Sequence, residues 1–363
     1  MADNDTVPEY CYSWLEERVS VNATLHDVNG QFQARNIGGI VFVSLLCIAG
    51  VFGNFHVLLV FSRHYKRSSY RTYILFLGAL DMTNSAISMP LTIVYLSFPL
   101  EYFNDFFCKI YRFLLYYVSI ASTLILVIIA VDRYRKIRTP LKRQWTEKQT
   151  FRFCIAGLAF GLLFAWPAPV LYGGSSVPLP INNLTGNRCY IEDQFKHMPF
   201  IAIFNIILSS LFVLILSILT TLYHYIWKAV KKFVYFPTDV GSVSSSTHST
   251  LVELDKKCSN KDNHKEKNPR YIQLRRTTIT LLLVTVGYLV SAFPHHGLAL
   301  VIFVFPDVEC KMSFGAGVIY YTFVWIFLVN NVINPIIYSL SDVKFLKRLK
   351  SMYNFKAIKC NGT

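Results

Sequence analysis

The sequence predicts an all-α membrane protein: a seven-transmembrane helix bundle followed by a short amphipathic surface helix. Two observations carry this. Of 363 residues, 53% are hydrophobic and only 16% charged, against about a quarter charged in soluble domains. The apolar residues also gather into seven runs, near 36–61, 73–98, 107–131, 152–173, 199–227, 277–305 and 314–340, each longer than the roughly 20 residues that cross about 30 Å of hydrocarbon. A soluble protein with buried helices would need amphipathic outer helices, and these runs have almost no charged face. Helices satisfy their backbone groups internally, whereas a membrane barrel needs short alternating strands. The chain divides into an outer segment (1–35), one seven-span domain (36–340) and an inner surface helix with tail (341–363).

Charge sets the expected orientation. The linkers 62–72, 133–152 and 228–276 and the tail from 341 hold 4, 8, 11 and 6 Lys plus Arg, while the opposite segments are poor in them. Basic residues beside span ends mark the cytoplasmic side, so the N-terminus lies outside, in a multi-pass plasma-membrane protein. The net charge of +15 is then a topology signal and a contact with acidic lipid headgroups rather than a nucleic-acid surface. Residues 1–35 have no apolar core of a cleavable signal, so the first span serves as its own insertion signal. Asn4, Asn22 and Asn183 head N-x-Ser/Thr triplets on the outer side and are glycosylation candidates. The linker 228–276 includes "GSVSSSTHST", whose hydroxyls are available to kinases.

Taken in order, the spans carry polar residues at depths where ionisable groups are costly and face the bundle interior. Span one has Asn54, and span two has Asp81 in "LFLGALDMTNSAISMP" with Pro90 beyond. Span three has Ser122 and ends on Asp132, Arg133 and Tyr134; beside the guanidinium, Asp132 lowers the cost of holding that charge at the membrane edge. Span five ends near Tyr223, which can approach Arg133 from across the bundle, and Pro294 hinges span six. Span seven has Asn330, Asn331 and Asn334, with Pro335 and Tyr338 bending the helix beside a polar group. Asp81, Ser122, Asn330 and Asn331 can hold a small hard cation such as Na+, or form a static polar clasp. Both readings stand. In "SDVKFLKRLKSMYNF", Phe345, Leu346 and Leu349 alternate with Lys344, Lys347, Arg348 and Lys350 as an interfacial helix does.

The cysteines sort by side. Cys11, Cys108, Cys189 and Cys310 fall outside, where disulfides persist. Pairing Cys108 with Cys189 ties the fourth-to-fifth-span loop across the bundle mouth, and Cys11 with Cys310 tethers the N-terminal segment to the last outer turn. The alternative is free outer thiols. Cys360 is a palmitoylation candidate set rather far from the last span.

Together these features resemble the rhodopsin-like class of G protein-coupled receptors over about residues 36–355. The resemblance rests on Asn54 in "GN", Asp81, "DRY" at 132–134, "NPIIY" at 334–338 and the cysteines 108 and 189. It implies that outer ligand binding opens an inner surface where Arg133 leaves Asp132 and receives the C-terminal end of a G protein alpha subunit. It further implies that Tyr223 and Tyr338 hold the active arrangement, that Asp81 and Ser122 bind sodium at rest, and that arrestin and receptor kinases are partners. No cofactor is required; sodium would be an allosteric ion. The chain also departs from the pattern. Tyr288 and Ala292 stand where the family has its span-six aromatic and tryptophan, Phe160 and Ile215 replace its span-four tryptophan and span-five proline, and Arg275 and Arg276 stand where some members place an acid.

Span seven has no lysine for a retinal Schiff base, and Leu115 occupies the position of the amine receptors' aspartate. The outer bundle offers Lys109, Arg112, Tyr116, His295, His296 and Tyr320 instead. Basic and aromatic groups facing a cleft suit a neuropeptide or peptide hormone, or an anionic lipid or other small anionic ligand; alternatively Lys109 and Arg112 snorkel to headgroups and the tyrosines form an interfacial belt. A transporter would show inverted repeats and Gly-rich half-helices, which are not seen. A non-signalling scaffold would bind ligand without nucleotide exchange. An enzyme would need a reacting constellation, and no span has metal-ligand spacing.

Overall fold

The computed structural model describes residues 12–20, 22–102, 104–139, 141–181, 184–196, 198–235, 269–305 and 307–353. Seven helices long and apolar enough to cross a membrane run over Ile37–His64, Ser69–Ser97, Asp105–Arg138, Glu147–Leu171, Phe200–Ala229, Gln273–Ile302 and Phe314–Ser341; these are spans one to seven. The surface helix, Val343–Tyr353, follows directly. Span three runs past the expected end at 131 to Arg138. Arg135, Lys136 and Arg138 in its last turn suit the negative end of a helix dipole and carry the helix beyond the apolar layer.

Val57, Phe61, Tyr73, Leu77, Ile125, Ile129, Leu281, Val284 and Tyr338 fill a common core between the spans. The opposite faces are also apolar: Leu45, Ile48, Val290 and Phe293 are each more than 60% exposed. Outward rows of that kind are stable in hydrocarbon rather than water.

Three spans carry proline where the sequence placed it, and two of them depart locally from regular α-helix. Span two opens into a π-turn at Asn84–Ser88 immediately before Pro90. Pro294 lies inside span six. In span seven a 3-10 turn at Ile326–Val329 precedes Asn330, and Pro335 follows inside the helix. Span one packs closely on Pro335 because Gly53 has no side chain: a Cβ there would lie 2.8 Å from Pro335 Cγ.

Two features go beyond the sequence expectation. The loop between spans four and five is an antiparallel hairpin pairing β1 (Tyr172–Pro178) with β2 (Thr185–Ile191). The segment before span one forms two helices, Ser13–Glu16 and Leu25–Arg35. Thr24 and Asp27 close a capping box on the second, and the hydrogen bonds from Thr24 hold the Asp27 carboxyl below its usual range. Trp14, Leu15, Val28 and Phe32 pack against Leu100, Leu179 and Ile181, making a small separate core over this end of the bundle. Arg35 is fully buried beneath it, donating to the carbonyls of Glu309 at 3.4 Å and Met312 at 3.3 Å. Gly317 is required here, since a Cβ would meet Arg35 Nε at 1.8 Å.

The Cys108–Cys189 disulfide joins the start of span three to β2. Cys11 and the Cys310 side chain lie outside the described residues, as do Cys360, Asn4, Asn183 and the serine-rich part of the 228–276 linker. Asn22 is exposed.

Candidate functional site

A cavity of about 320 Å³ lies beneath the hairpin, among spans two, three, five, six and seven. Arg112, Tyr116, His295, His296 and Tyr320 all stand on its wall, so five of the six residues expected there are brought together. Lys109 is not; its ammonium pairs with Glu192 at 3.7 Å.

Arg112 is the central cation. Its Nη2 donates to the Cys189 carbonyl at 2.9 Å, and its guanidinium lies 4.9 Å from the Tyr172 ring centre and 5.2 Å from that of Tyr95. The hairpin backbone and a ring of aromatic faces therefore hold it. Among the described residues it has no carboxylate partner, and its Nε is buried without a hydrogen bond. Tyr116 shares a 2.8 Å hydrogen bond with Tyr172 and so fixes the aromatic wall.

At the mouth, Arg188 of β2 lies 3.8 Å from Glu309, whose carboxylate also accepts from the Tyr321 hydroxyl at 2.5 Å. Neither Arg188 nor Glu309 is marked as a pocket residue by any sequence motif. Both come from connections between spans, and only the hairpin and the last turn before span seven turn them inward. On the span-six wall, His295 bonds the Val324 carbonyl through Nδ1 at 2.7 Å, and its ring lies 4.3 Å from Phe327. His296 stacks on Phe212 with ring centres 3.7 Å apart. Immediately after Pro294, the two histidines thus connect span six to spans seven and five.

The span-six departures acquire structural roles. The Thr123 hydroxyl donates to the Tyr288 hydroxyl at 2.8 Å, tying span six to span three. Ala292 lines the cavity, while Trp325 of span seven supplies an indole to its wall. Tyr223 and Thr285 share a 2.8 Å bond between spans five and six. Thr123 and Thr285 look like ordinary residues of apolar helices in the sequence, and only the packing gives them partners.

Where Ser122, Asn330 and Asn331 line the cavity, Asn334 Nδ2 donates to Asp81 Oδ2 at 2.8 Å, and Asn54 Nδ2 donates to the Asn331 carbonyl at 2.7 Å. These bonds make the polar clasp among spans one, two and seven. Asp81 Oδ1, Ser122 Oγ, Asn330 Oδ1 and Asn334 Oδ1 are buried with no protein partner. A carboxylate, a hydroxyl and two amide oxygens fit the oxygen-only preference of a hard cation. Asn331 differs, because its side chain donates to the Leu328 carbonyl at 3.2 Å.

At the opposite end, the Asp132–Arg133 pair is buried, with 2.5 Å between Oδ2 and Nη2, and Lys136 reaches the same oxygen at 2.7 Å. Arg133 Nη1 also donates to Thr277 of span six at 3.4 Å. Arg135 and Arg138 lie on the flanking rings of Trp145 and Tyr134. Tyr223 bonds Thr285, as above, and Tyr338 sits between Phe61 and Phe345 with its hydroxyl buried and without a protein partner. In this arrangement neither tyrosine bonds Arg133.

A family model described as the 7 transmembrane receptor (rhodopsin family) matches residues 53–338. Similar proteins include galanin receptor type 2 of Mus musculus, 25% identical over 316 residues that cover 86% of this chain and 75% of that receptor. Dopamine receptor 1 of Drosophila melanogaster is 24% identical over 327 residues, covering 86% and 62%. Neuropeptide receptor 18 of Caenorhabditis elegans is 31% identical over 137 residues, covering 36% and 28%. Seven apolar spans, the disulfide at one end, the Asp-Arg pair at the other and a family match over most of the chain lead to one conclusion: this protein belongs to the rhodopsin family of seven-transmembrane receptors.

Proposed function

We propose that the protein is a plasma-membrane receptor whose disulfide-bearing end faces outside. It takes a neuropeptide or peptide hormone there and activates a heterotrimeric G protein at the Arg133 end. The observation that carries the ligand reading is Arg112, a cavity cation held by aromatic faces and, among the described residues, without a carboxylate partner. A ligand carboxylate, from a peptide side chain or C-terminus, completes it. Resemblance to galanin receptor type 2 and neuropeptide receptor 18 supports a peptide. The dopamine receptor resemblance does not transfer a monoamine ligand, because Leu115 lines the cavity where an ammonium partner would be needed. The unpaired Arg112 also favours a second reading, a small anionic ligand or lipid headgroup.

The signal follows the bonds already described. A ligand settling among Arg112, Tyr320 and the histidines presses on Phe327 and Trp325. Span six then turns about its proline, the Thr123–Tyr288 bond breaks, and Thr277 withdraws from Arg133. Tyr223 and Tyr338 are free to close on the exposed guanidinium, which receives the G protein. Asp81, Ser122 and Asn330 would hold Na+ at rest, the ion supplying positive charge beside the Asp81 carboxylate.

Secreted peptides and anionic lipids screened for nucleotide exchange on purified G proteins test the ligand class. Arg112→Gln is expected to weaken capture of the active ligand by about 1.5–3 kcal/mol, roughly 10- to 150-fold, the range of a hydrogen bond to a charged group. Unchanged affinity removes Arg112 from the ligand site. Asp81→Asn is expected to abolish the rise in thermal unfolding temperature when Na+ replaces N-methylglucamine. An undiminished rise places the ion elsewhere.

A further inference from the structure

Strand β2 places two arginines against one cavity. Side chains alternate along a strand, so Arg188 and Tyr190 share the face that lines the cavity, while Cys189 between them points the other way to its disulfide. The Cys189 carbonyl accepts from Arg112 Nη2 at 2.9 Å. The two guanidiniums are therefore held to neighbouring residues of the same strand. A pair of tyrosine rings separates them. Arg112 lies 4.9 Å from the centre of Tyr172, Arg188 lies 4.4 Å from that of Tyr190, and these two rings are 6.4 Å apart. Both guanidiniums keep an open edge: Arg112 Nε and Arg188 Nε are buried without a hydrogen bond. Arg188 approaches Glu309 through Nη1 at 3.8 Å, beyond hydrogen-bond length, which leaves its Nε–Nη2 edge for another partner. Glu309 is also shared. Its carboxylate accepts from Tyr321, and the fully buried Arg35 lies 5.5 Å from the same ring and donates to the Glu309 main-chain carbonyl at 3.4 Å.

Arg112 and Arg188 line the cavity together with Glu309, and Arg35 lies behind them. Among the described residues, Arg35 and Arg112 have no carboxylate partner. Three guanidiniums against one carboxylate leave two positive charges unbalanced, and a single ligand carboxylate offsets only one of them. We infer that the cavity takes a ligand segment bearing two carboxylates, one on Arg112 and the second on the Nε–Nη2 edge of Arg188, as a peptide ending in Asp or Glu provides. Each contact is a charge-assisted hydrogen bond, and the Arg188 edge offers two parallel donors to one carboxylate. Glu309 stays beside Nη1 and on Tyr321, so no internal bond has to break. The two carboxylates of one terminal residue are a few bonds apart, which suits cations held to adjacent residues of a strand. Beyond them the cavity, about 320 Å³ in all, continues to Leu115, Leu211, Phe212 and Ile215. That apolar wall favours a peptide with an apolar residue before its terminal acid over a free dicarboxylate. Arg188 thereby sets specificity, because a terminal Asn or Gln in place of the acid leaves its buried donor edge unpaired.

This inference rests on the Arg112 reading proposed above and adds a second subsite to it, and the test separates the two. The probes are N-acetyl-Phe-Asp, with both carboxylates, N-acetyl-Phe-Asn, with the terminal one only, and N-acetyl-Phe-Asp amide, with the side-chain one only. Capture by the purified full chain in phosphatidylcholine nanodiscs is read from the rise in thermal unfolding temperature with probe concentration. The unaltered protein should hold the diacid about tenfold or more tightly than either monoacid, the effect of one further bond to a charged group. Arg188→Gln should erase that advantage and leave N-acetyl-Phe-Asn capture unchanged, whereas Arg112→Gln should weaken capture of N-acetyl-Phe-Asn. Arg188→Lys keeps the charge facing Glu309 but not the two-donor edge, and should lose most of the advantage even where the Gln variant fails to fold. Equal capture of diacid and monoacids overturns the second subsite, and the Arg112 reading survives if Arg112→Gln still weakens N-acetyl-Phe-Asn. An advantage that persists in both Arg188 variants overturns the role of Arg188. Capture of N-acetylaspartate as tight as that of N-acetyl-Phe-Asp overturns the peptide as source. Capture of none of the probes overturns the inference and leaves the Arg112 reading to the peptide and lipid screen.

Discussion

Arg133→Ala is expected to reduce ligand-driven G protein nucleotide exchange by about thirtyfold or more, the effect of losing about 2 kcal/mol or more at a central interface arginine. Ligand capture at the far end should be retained, because Arg133 does not line the ligand cavity. The usual objection, that removing half of a buried ion pair unfolds the protein, is weak here. Lys136 remains 2.7 Å from Asp132 Oδ2 and keeps that carboxylate paired. Losing the Arg133–Thr277 bond also removes a contact between spans three and six. The variant should therefore open more readily yet fail to signal, and faster hydrogen exchange at the end of span six reports the opening. A variant that signals at full strength would remove Arg133 from the coupling role.

Cys108→Ser combined with Cys189→Ser should have the largest effect on stability. The bond closes a sequence separation of 81 residues, and constraint of the unfolded chain over such a loop is worth about 4 kcal/mol. The double replacement avoids a stray thiol. Beyond stability, Arg112 donates to the Cys189 carbonyl at 2.9 Å, and Arg188 projects from the same strand. Freeing the hairpin therefore disperses two of the cavity's cations together. A marked fall in thermal unfolding temperature and loss of ligand capture are expected jointly. Retention of both would mean that hairpin pairing and the packing of Leu179 and Ile181 suffice to hold the lid.

The bundle was legible because lipid imposes one rule on every span. About twenty apolar residues must occur without a break, and any polar group within them must face inward; Asp81, Asn334 and the Asp132–Arg133 pair all obey it. The hairpin and the two helices before span one were not legible. Water on one side and protein on the other leave only weak periodicity in segments such as Ser13–Glu16 or Tyr172–Pro178. Lys109 shows how far position along a helix can mislead: it lies three residues before Arg112, one helical turn away, yet Glu192 holds it while Arg112 enters the cavity.

The amino-acid order by itself determined the seven apolar spans, their charge asymmetry, the proline positions and the cysteines available for a disulfide, because each follows from local hydrophobicity or backbone chemistry. The tertiary structure alone decided which polar atoms meet. Arg188 finds Glu309, Thr123 finds Tyr288, and Arg35 fills the space left by Gly317. Those pairings join residues from about 120 to 280 positions apart, and their geometry depends on how helices pack, which no local pattern of residues encodes.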